Sequence, residues 1–144
     1  MCKVRTLGLD YGSKTVGVAV TDPLGLTAQG VEIIRRQKEN HLRKTYQRIR
    51  ELCEQYDVEK IVLGLPLNMD DTMGDRAEKT LEFKNELERR LSVPVLLVDE
   101  RLTTVEAIEI MDDAGIKVSE REKYVDMIAA TIILQDYMNS TEGK

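Results

Sequence analysis

Residues 4–20, VRTLGLDYGSKTVGVAV, contain the clearest strand pattern of the chain. Val4 to Asp10 predicts a short strand, and Tyr11 to Lys14 supplies turn residues. From Thr15 to Val20, valines alternate with small residues, which predicts a second strand. The stretch therefore predicts a β-hairpin, so the sheet begins antiparallel.

Alternating strands and helices follow the hairpin. A third strand is predicted at Gly30–Arg36, a helix at Asn40–Tyr56, buried strands at Ile61–Leu65 and Val95–Val98, and helices at Asp75–Leu91, Thr103–Ala114 and Glu120–Met138. The apolar positions predicted for the helix at Asp75–Leu91 are Ala77, Leu81, Leu87 and Leu91. Continuous apolar strands require cover on both faces. The pattern predicts an α/β fold in the order β-β-β-α-β-α-β-α-α, with a mixed five-stranded sheet between helices.

The ends of the helix at Thr103–Ala114 are marked by local signals. Thr103 and Glu106 fit the pattern of a capping box, in which each side chain would accept a hydrogen bond from a free amide at the start of the helix. Gly115 provides a left-handed stop.

Length and charge limit the class of protein. The 144 residues are 42% hydrophobic and 33% charged, which predicts one compact domain over 1–144. The net charge of −5, taken alone, argues against a polyanion partner. Residues 1–50, however, hold ten Lys and Arg against four Asp and Glu, and seven of those ten cations lie between Arg35 and Arg50.

Compartment and cysteine usage give further expectations. The chain has no apolar run long enough to span a bilayer and no apolar signal segment near Met1, so we expect a cytoplasmic protein. Cys2 and Cys53 fit neither a disulfide framework nor a metal site, and both are expected to be inert. His41 is the single histidine, which excludes a histidine-based zinc site.

Asp10 is a carboxylate at the end of an apolar strand, where Asp is disfavoured. One interpretation is structural, because an Asp at a turn often accepts hydrogen bonds from amides two or three residues on. The other is functional: Gly12 and Ser13 are small enough to let a phosphate or metal approach a carboxylate held at a strand end.

Glu100 and Asp126 are the other two acids in unusual positions. Glu100 follows the buried strand Val95–Val98, at the edge where α/β sheets bind ligands. Asp126 shares a helix face with Ala129, Ala130, Ile133 and Tyr137. Both also have an ordinary interpretation, as solvated acids in the first turn of a helix.

Three converging carboxylates repel one another unless a cation is bound between them. Oxygen ligands without His or Cys favour Mg²⁺ or Mn²⁺ over Zn²⁺. Such a site suits phosphodiester hydrolysis, in which metal ions activate a water and stabilise the leaving oxygen.

Four blocks of sequence closely resemble the YqgF (RuvX) family. They are Gly8-Leu9-Asp10-Tyr11-Gly12-Ser13-Lys14, Val62-Leu63-Gly64-Leu65-Pro66-Leu67-Asn68-Met69-Asp70, Asp99-Glu100-Arg101-Leu102-Thr103-Thr104, and Lys123-Tyr124-Val125-Asp126 with Ala129-Ala130 and Ile133-Leu134. The resemblance implies a ribonuclease H-like fold related to the resolvase RuvC. It also implies a nuclease that matures the 5′ end of pre-16S rRNA, in a family earlier named for Holliday junction resolution.

The resemblance implies roles for individual residues. Asp10, Glu100 and Asp126 match the family's catalytic, metal-binding acids. Asn68 lies in a block expected to contact substrate, although Asp71-Thr72 stands where the family has Gly-Thr. Related enzymes often use a fourth carboxylate, for which Asp70 and Asp99 are both candidates.

The expected substrate is structured RNA or branched DNA. Lys14, Arg76 and Arg101 are candidates for holding the scissile phosphate, because an acidic site needs cations to attract a polyanion. A surface for duplex phosphates, or simply a solvated basic face, is predicted from seven residues: Arg35, Arg36, Lys38, Arg43, Lys44, Arg48 and Arg50.

Alternatives to the RNA nuclease remain open at this point. They are a Holliday junction resolvase and a non-catalytic rRNA-binding assembly factor, acting as a monomer or homodimer. An ATP-binding phosphate loop at Asp10–Lys14 is disfavoured, because proteins of that kind close two such domains over the nucleotide and 144 residues provide one.

Overall fold

The described parts of the chain contain five strands and three long helices. The computed structural model describes residues 5–12, 14–22, 27–38, 41–65, 74–99, 113, 115, 117 and 121–142, with the backbone alone at 75, 99, 121–126 and 139–142. The strands are β1 (Arg5–Tyr11), β2 (Thr15–Thr21), β3 (Ala28–Arg35), β4 (Val58–Leu65) and β5 (Val95–Asp99). The helices are α1 (Arg43–Tyr56), α2 (Asp75–Leu91) and α3 (Arg121–Glu142).

The strands form one mixed sheet in the order β3-β2-β1-β4-β5. The predicted hairpin is confirmed, since β1 pairs antiparallel with β2, and β2 pairs antiparallel with β3. On the other side, β1 pairs parallel with β4, and β4 with β5. The predicted mixed five-stranded sheet is therefore confirmed, with β1 at its centre.

Helices cover both faces of the sheet, as predicted. Side chains alternate between the two faces of a strand. Leu7, Leu9 and Tyr11 pack on the face covered by α1 and α2. On the opposite face, Ala19 and Val62 pack against apolar side chains of α3.

Several element boundaries differ from prediction by two or three residues. Strand β4 begins at Val58 rather than Ile61, because parallel pairing with β1 extends the strand through the polar residues Glu59 and Lys60. Helix α1 begins at Arg43 rather than Asn40, with Leu42 as its N-cap.

In α2, the fully buried Phe83 is missing from the predicted core positions, whereas the predicted Leu81 and Leu91 are only partly buried. The aromatic ring of Phe83 stacks on Tyr11 of the sheet, a contact that helical periodicity alone does not reveal.

The helix predicted at Thr103–Ala114 falls almost entirely outside the described residues. Its predicted stop is confirmed, because Gly115 has a φ of 74°. No helix in the described ranges is long and apolar enough to cross a membrane. Cys53 is buried, and burial raises the pKa of its thiol to about 11. Its thiol is therefore protonated at neutral pH, in agreement with the predicted inert role.

Candidate active site

Asp10 lies at the carboxyl edge of the parallel strands. It is the second-last residue of β1 and its side chain is 8% exposed. Because β1, β4 and β5 are parallel, their carboxyl ends meet at one edge of the sheet. At that edge Leu65 of β4 pairs with Asp99 of β5. The structure thus brings the ends of two acid-bearing strands to the same edge.

Glycines flank Asp10 in both neighbouring strands. Gly17 of β2 is its registered partner. On the other side, Gly64 of β4 directly follows Leu63, which pairs with Leu9. Neither glycine therefore places a side chain in the row of the sheet that contains Asp10.

Asp10 shares its face of β1 with Gly8, and α3 packs closely on that face. A Cβ atom at Gly8 would lie 2.8 Å from Leu134 Cβ and 3.0 Å from the Ala130 carbonyl oxygen. The helix therefore contacts the strand backbone directly. Because residues two apart in a strand point to one face, Asp10 lies on the side of the sheet covered by α3.

Helix α3 runs antiparallel to β1. Near its C-terminal end, the Tyr137 hydroxyl accepts a 2.9 Å hydrogen bond from Lys60, whose strand partner is Thr6. Ala130 lies earlier in the helix, at the level of Gly8. Position 126 is four residues nearer the N-terminus of the helix than Ala130, about 6 Å along its axis. The backbone of α3 thus places position 126 on the Asp10 side of the sheet, before the helix crosses Gly8.

The remaining predicted site residues are described in part or not at all. Glu100, Arg101 and Asn68 lie outside the described residues, and the side chain of Asp126 is not described. Among the side chains that are described, no three acids, histidines or cysteines form a group able to hold a metal ion. The structure therefore locates Asp10 and the backbone of position 126, while the complete acid set stays a prediction.

Two arginines lie against the ring of Tyr11, the residue after Asp10. The guanidinium carbons of Arg36 and Arg76 are each 5.0 Å from the ring centroid. Tyr11 also stacks on Phe83, with ring centroids 4.1 Å apart. Arg76 was predicted to hold a phosphate, and the structure places it at the end of β1 on the face covered by α1 and α2, whereas Asp10 lies on the α3 face. Lys14, also predicted, is exposed in the β1–β2 turn.

Arg36 is a residue of this edge that the sequence interpretation assigned only to the basic surface. Its Nη2 donates a 2.6 Å hydrogen bond to the Gly12 carbonyl oxygen, and its backbone N–H donates one of 2.9 Å to the Lys14 carbonyl oxygen. Arg36 therefore holds the turn that follows Asp10. This contact could have been expected from the antiparallel pairing of β2 and β3, because the residue that follows β3 lies beside the turn that precedes β2.

Comparison with known proteins identifies close relatives along nearly the whole chain. The model of the RuvX family, described as Holliday junction resolvase, matches residues 4–140. A Lachnospira eligens protein is 52% identical over 139 residues, which cover 96% of this chain and 99% of the relative. A Clostridium acetobutylicum protein is 48% identical over 137 residues, which cover 95% and 99%. Both are named "Putative pre-16S rRNA nuclease".

Solved structures share the fold at low sequence identity. RuvC of T. thermophilus, solved in complex with a Holliday junction substrate, superposes with a TM-score of 0.62 at 15% identity and 97% coverage of both chains. The fowlpox virus Holliday junction resolvase gives a TM-score of 0.58 at 14% identity, covering 96% of this chain and 99% of that one. The fold is the ribonuclease H-like fold that the sequence predicted. Since the family model spans nearly all of its residues, the chain belongs to the RuvX family.

Proposed function

We propose that the protein is a nuclease that hydrolyses phosphodiester bonds during processing of the 5′ end of pre-16S rRNA, with Asp10, Glu100 and Asp126 as its catalytic acids. The observation that carries this proposal is the buried carboxylate of Asp10, flanked by glycines at the carboxyl edge and facing the helix that contains position 126. The substrate is supported by relatives 48–52% identical that are named for it.

The proposed acids fit Mg²⁺ or Mn²⁺, which prefer oxygen ligands. The glycines beside Asp10 add no side chain that would compete with an ion or a phosphate oxygen for the carboxylate. A divalent cation bound there would supply positive charge to the phosphoryl oxygens and lower the pKa of the attacking water.

Glu100 is included as the second ligand because the resemblance to the family assigns it that role. The strand that precedes it reaches the side of the sheet on which Asp10 lies, since Val98 packs in the apolar cluster on the side of α3. Asp70 and Asp99 stay candidates for a fourth carboxylate.

In this proposal the residues of the chain bind and orient the substrate. The Asp10 carboxylate, fixed by the central strand, orients the groups that react at the phosphorus. Lys14 offsets the charge of the scissile phosphate, with Arg76, Arg101 and Asn68 as further contacts on the sequence prediction. Preorganised charges at a buried site stabilise a transition state without reorganisation during the reaction.

The decisive experiment is cleavage of a labelled pre-16S rRNA precursor with Mn²⁺ or Mg²⁺ by wild type and by Asp10→Asn. We expect the variant to cleave roughly a hundredfold more slowly or worse, because several kcal/mol of transition-state stabilisation depend on the carboxylate.

Asp22→Asn is the matched control for this experiment. Its carboxylate accepts a 3.0 Å hydrogen bond from the Thr27 N–H just beyond β2, away from the carboxyl edge, so cleavage should be retained. Equal cleavage by Asp10→Asn and wild type would reject the catalytic assignment. Calorimetry that detected neither Mg²⁺ nor Mn²⁺ binding would favour the non-catalytic assembly factor.

Holliday junction resolution is the second candidate function. It is favoured by the family's description and by the fold shared with a RuvC solved on a junction. Cutting two strands symmetrically requires a two-fold dimer. Parallel assays with the RNA precursor and a four-way DNA junction distinguish the substrates, and sedimentation of the protein with each distinguishes monomer from homodimer. We place the activity in the cytoplasm, in one domain spanning 1–144.

A further inference from the structure

A basic cleft lies between the end of β3 and the start of α1. Its volume is about 740 Å³. Its cationic lining residues are Arg35, Arg36, Arg43, Lys44 and Arg48, with His41 beside them. No acidic side chain lines the cleft within the part of the chain that the structure describes. The concentration of positive charge in a concave surface predicts an anionic occupant.

The cations of the predicted surface do not all face this cleft. Arg48 donates hydrogen bonds of 2.6 and 3.0 Å to the carboxylate of Glu32 and one of 3.3 Å to Glu51, so its charge is already compensated. Arg50 instead donates to the carbonyl oxygen of Arg90 in α2. These contacts give both residues structural roles. Fewer of the seven predicted cations are therefore available to bind a ligand.

Arg35, Arg43 and Lys44 are exposed within the cleft. Arg43 and Lys44 occupy the first turn of α1, which contains no acidic residue. Cations at this end of a helix oppose the helix dipole, so they destabilise α1 in the absence of a ligand. An anion in the cleft would interact favourably with both the side chains and the helix end.

Arg36 connects the cleft to the candidate active site. It lines the cleft, and its guanidinium also donates to the Gly12 carbonyl oxygen in the turn after Asp10. The cleft lies on the α1 side of the sheet and Asp10 on the α3 side, so a phosphate backbone in the cleft would pass around the carboxyl edge at this turn to reach Asp10. The contact of Arg36 with both the cleft and this turn favours a nucleic-acid backbone over an acidic protein, because the phosphodiester to be cut must lie at the same edge.

We propose that the basic cleft binds the phosphate backbone of the substrate at nucleotides flanking the scissile bond, through Arg35, Arg43 and Lys44. The proposal rests on the proposed function, since it places another part of the same nucleic acid. In this proposal the cleft binds the substrate and sets which phosphodiester reaches the active site. The chemical step takes place at the carboxyl edge of the sheet, beside Asp10. Loss of the cleft cations should therefore weaken the binding of long substrates more than it slows the cutting of bound ones.

The test compares two double variants with equal changes in charge. Arg43→Gln with Lys44→Gln removes cleft cations, whereas Arg89→Gln with Lys117→Gln removes an exposed arginine and an exposed lysine that do not line the cleft. Fluorescence anisotropy with a labelled 5′ pre-16S rRNA fragment in EDTA measures binding without cleavage. Thermal unfolding of both variants verifies their fold.

For the cleft variant we expect Kd to rise about tenfold, and the slope of log K against log salt to decrease by about one to two, as expected for two lost phosphate contacts. The control variant should bind within about twofold of wild type. Equal losses in both variants, or no loss in the cleft variant, would overturn the proposal. Tighter binding of poly-glutamate than of RNA would overturn it in favour of an acidic protein partner. Single-turnover cleavage by Asp10→Asn tests the proposed function separately, since the binding comparison does not depend on its result.

Discussion

At the scale of single residues, the sequence was enough to recognise the candidate catalytic acid, but not the residues that surround it in the sheet. Asp10 was recognisable because a carboxylate ends an apolar strand. Its glycine neighbours were not, because Gly17 and Gly64 come beside it only through the register of β2 and β4. Arg36 was missed for the same reason, since its contact with Gly12 depends on pairing between distant segments.

Replacing Gly17 with Val fills the row beside Asp10. Valine is well tolerated in strands, so we expect the sheet to form. Its methyl groups would occupy the space proposed for the ion and the phosphate. The rate of cleavage of the rRNA precursor should fall at least about tenfold, which corresponds to a rise of about 1.4 kcal/mol in the activation barrier. Ala28→Val is the control, because it adds bulk to β3 near the opposite edge of the sheet. Unchanged cleavage by a folded Gly17→Val protein would show that the space is not used.

At the scale of elements, the close approach of α3 to β1 positions the candidate site. The order of the strands and helices was predictable from periodicity and turn residues, and all the elements that lie in the described residues were found near their predicted positions. The direction and depth of α3 were not predictable, because they depend on which sheet residues lack side chains. Gly8 allows the helix backbone to approach β1, and so sets the distance between the sheet and position 126.

Gly8→Ala should push α3 away from the sheet. The new Cβ would lie 2.8 Å from Leu134 Cβ and 3.0 Å from a backbone oxygen, and neither atom can move without the helix. We expect a loss of about 1–3 kcal/mol in the free energy of unfolding, measured by urea titration. Gly30→Ala is the matched control, because its Cβ would meet only the flexible side chain of Met127, so its cost should be smaller. Equal costs for the two variants would contradict direct helix–strand contact as the cause.

At the scale of the whole molecule, the structure shows where the excess positive charge of residues 1–50 lies. The net charge of −5 conceals a basic cleft between β3 and α1, and the carboxyl edge that contains Asp10 adjoins it through Arg36. The net charge, taken alone, argued against a nucleic-acid partner, because it averages the charges of both surfaces. The basic cleft and the carboxyl edge are separate surfaces, as expected if the substrate is bound at the cleft and cut at the edge.

The buried aromatic cluster between α1, α2 and the sheet predicts sensitivity to alkali. Burial, with a contribution from Tyr11, raises the pKa of Tyr46 from 10.0 to about 12. The folded state therefore keeps the Tyr46 proton that the unfolded chain loses, so its contribution to stability is complete below pH 10 and is lost as pH rises toward 12. Urea titrations between pH 8 and 11.5 should show a weaker alkaline decline for Tyr46→Phe than for wild type. Tyr56→Phe is the control, and an identical decline in the Tyr46→Phe and wild-type proteins would contradict the effect.

The wide separation of Asp10 and position 126 along the chain has a consequence for the timing of activity during synthesis. Asp10 belongs to the first strand that the ribosome makes, whereas position 126 belongs to the last described helix. Segments near the N-terminus leave the ribosome first, so the β1–β2 hairpin can form before α3 exists. On the proposed acid set, a nascent chain therefore holds a folded hairpin without a competent site. On that acid set, the protein would become able to cut RNA only when α3 docks on the sheet.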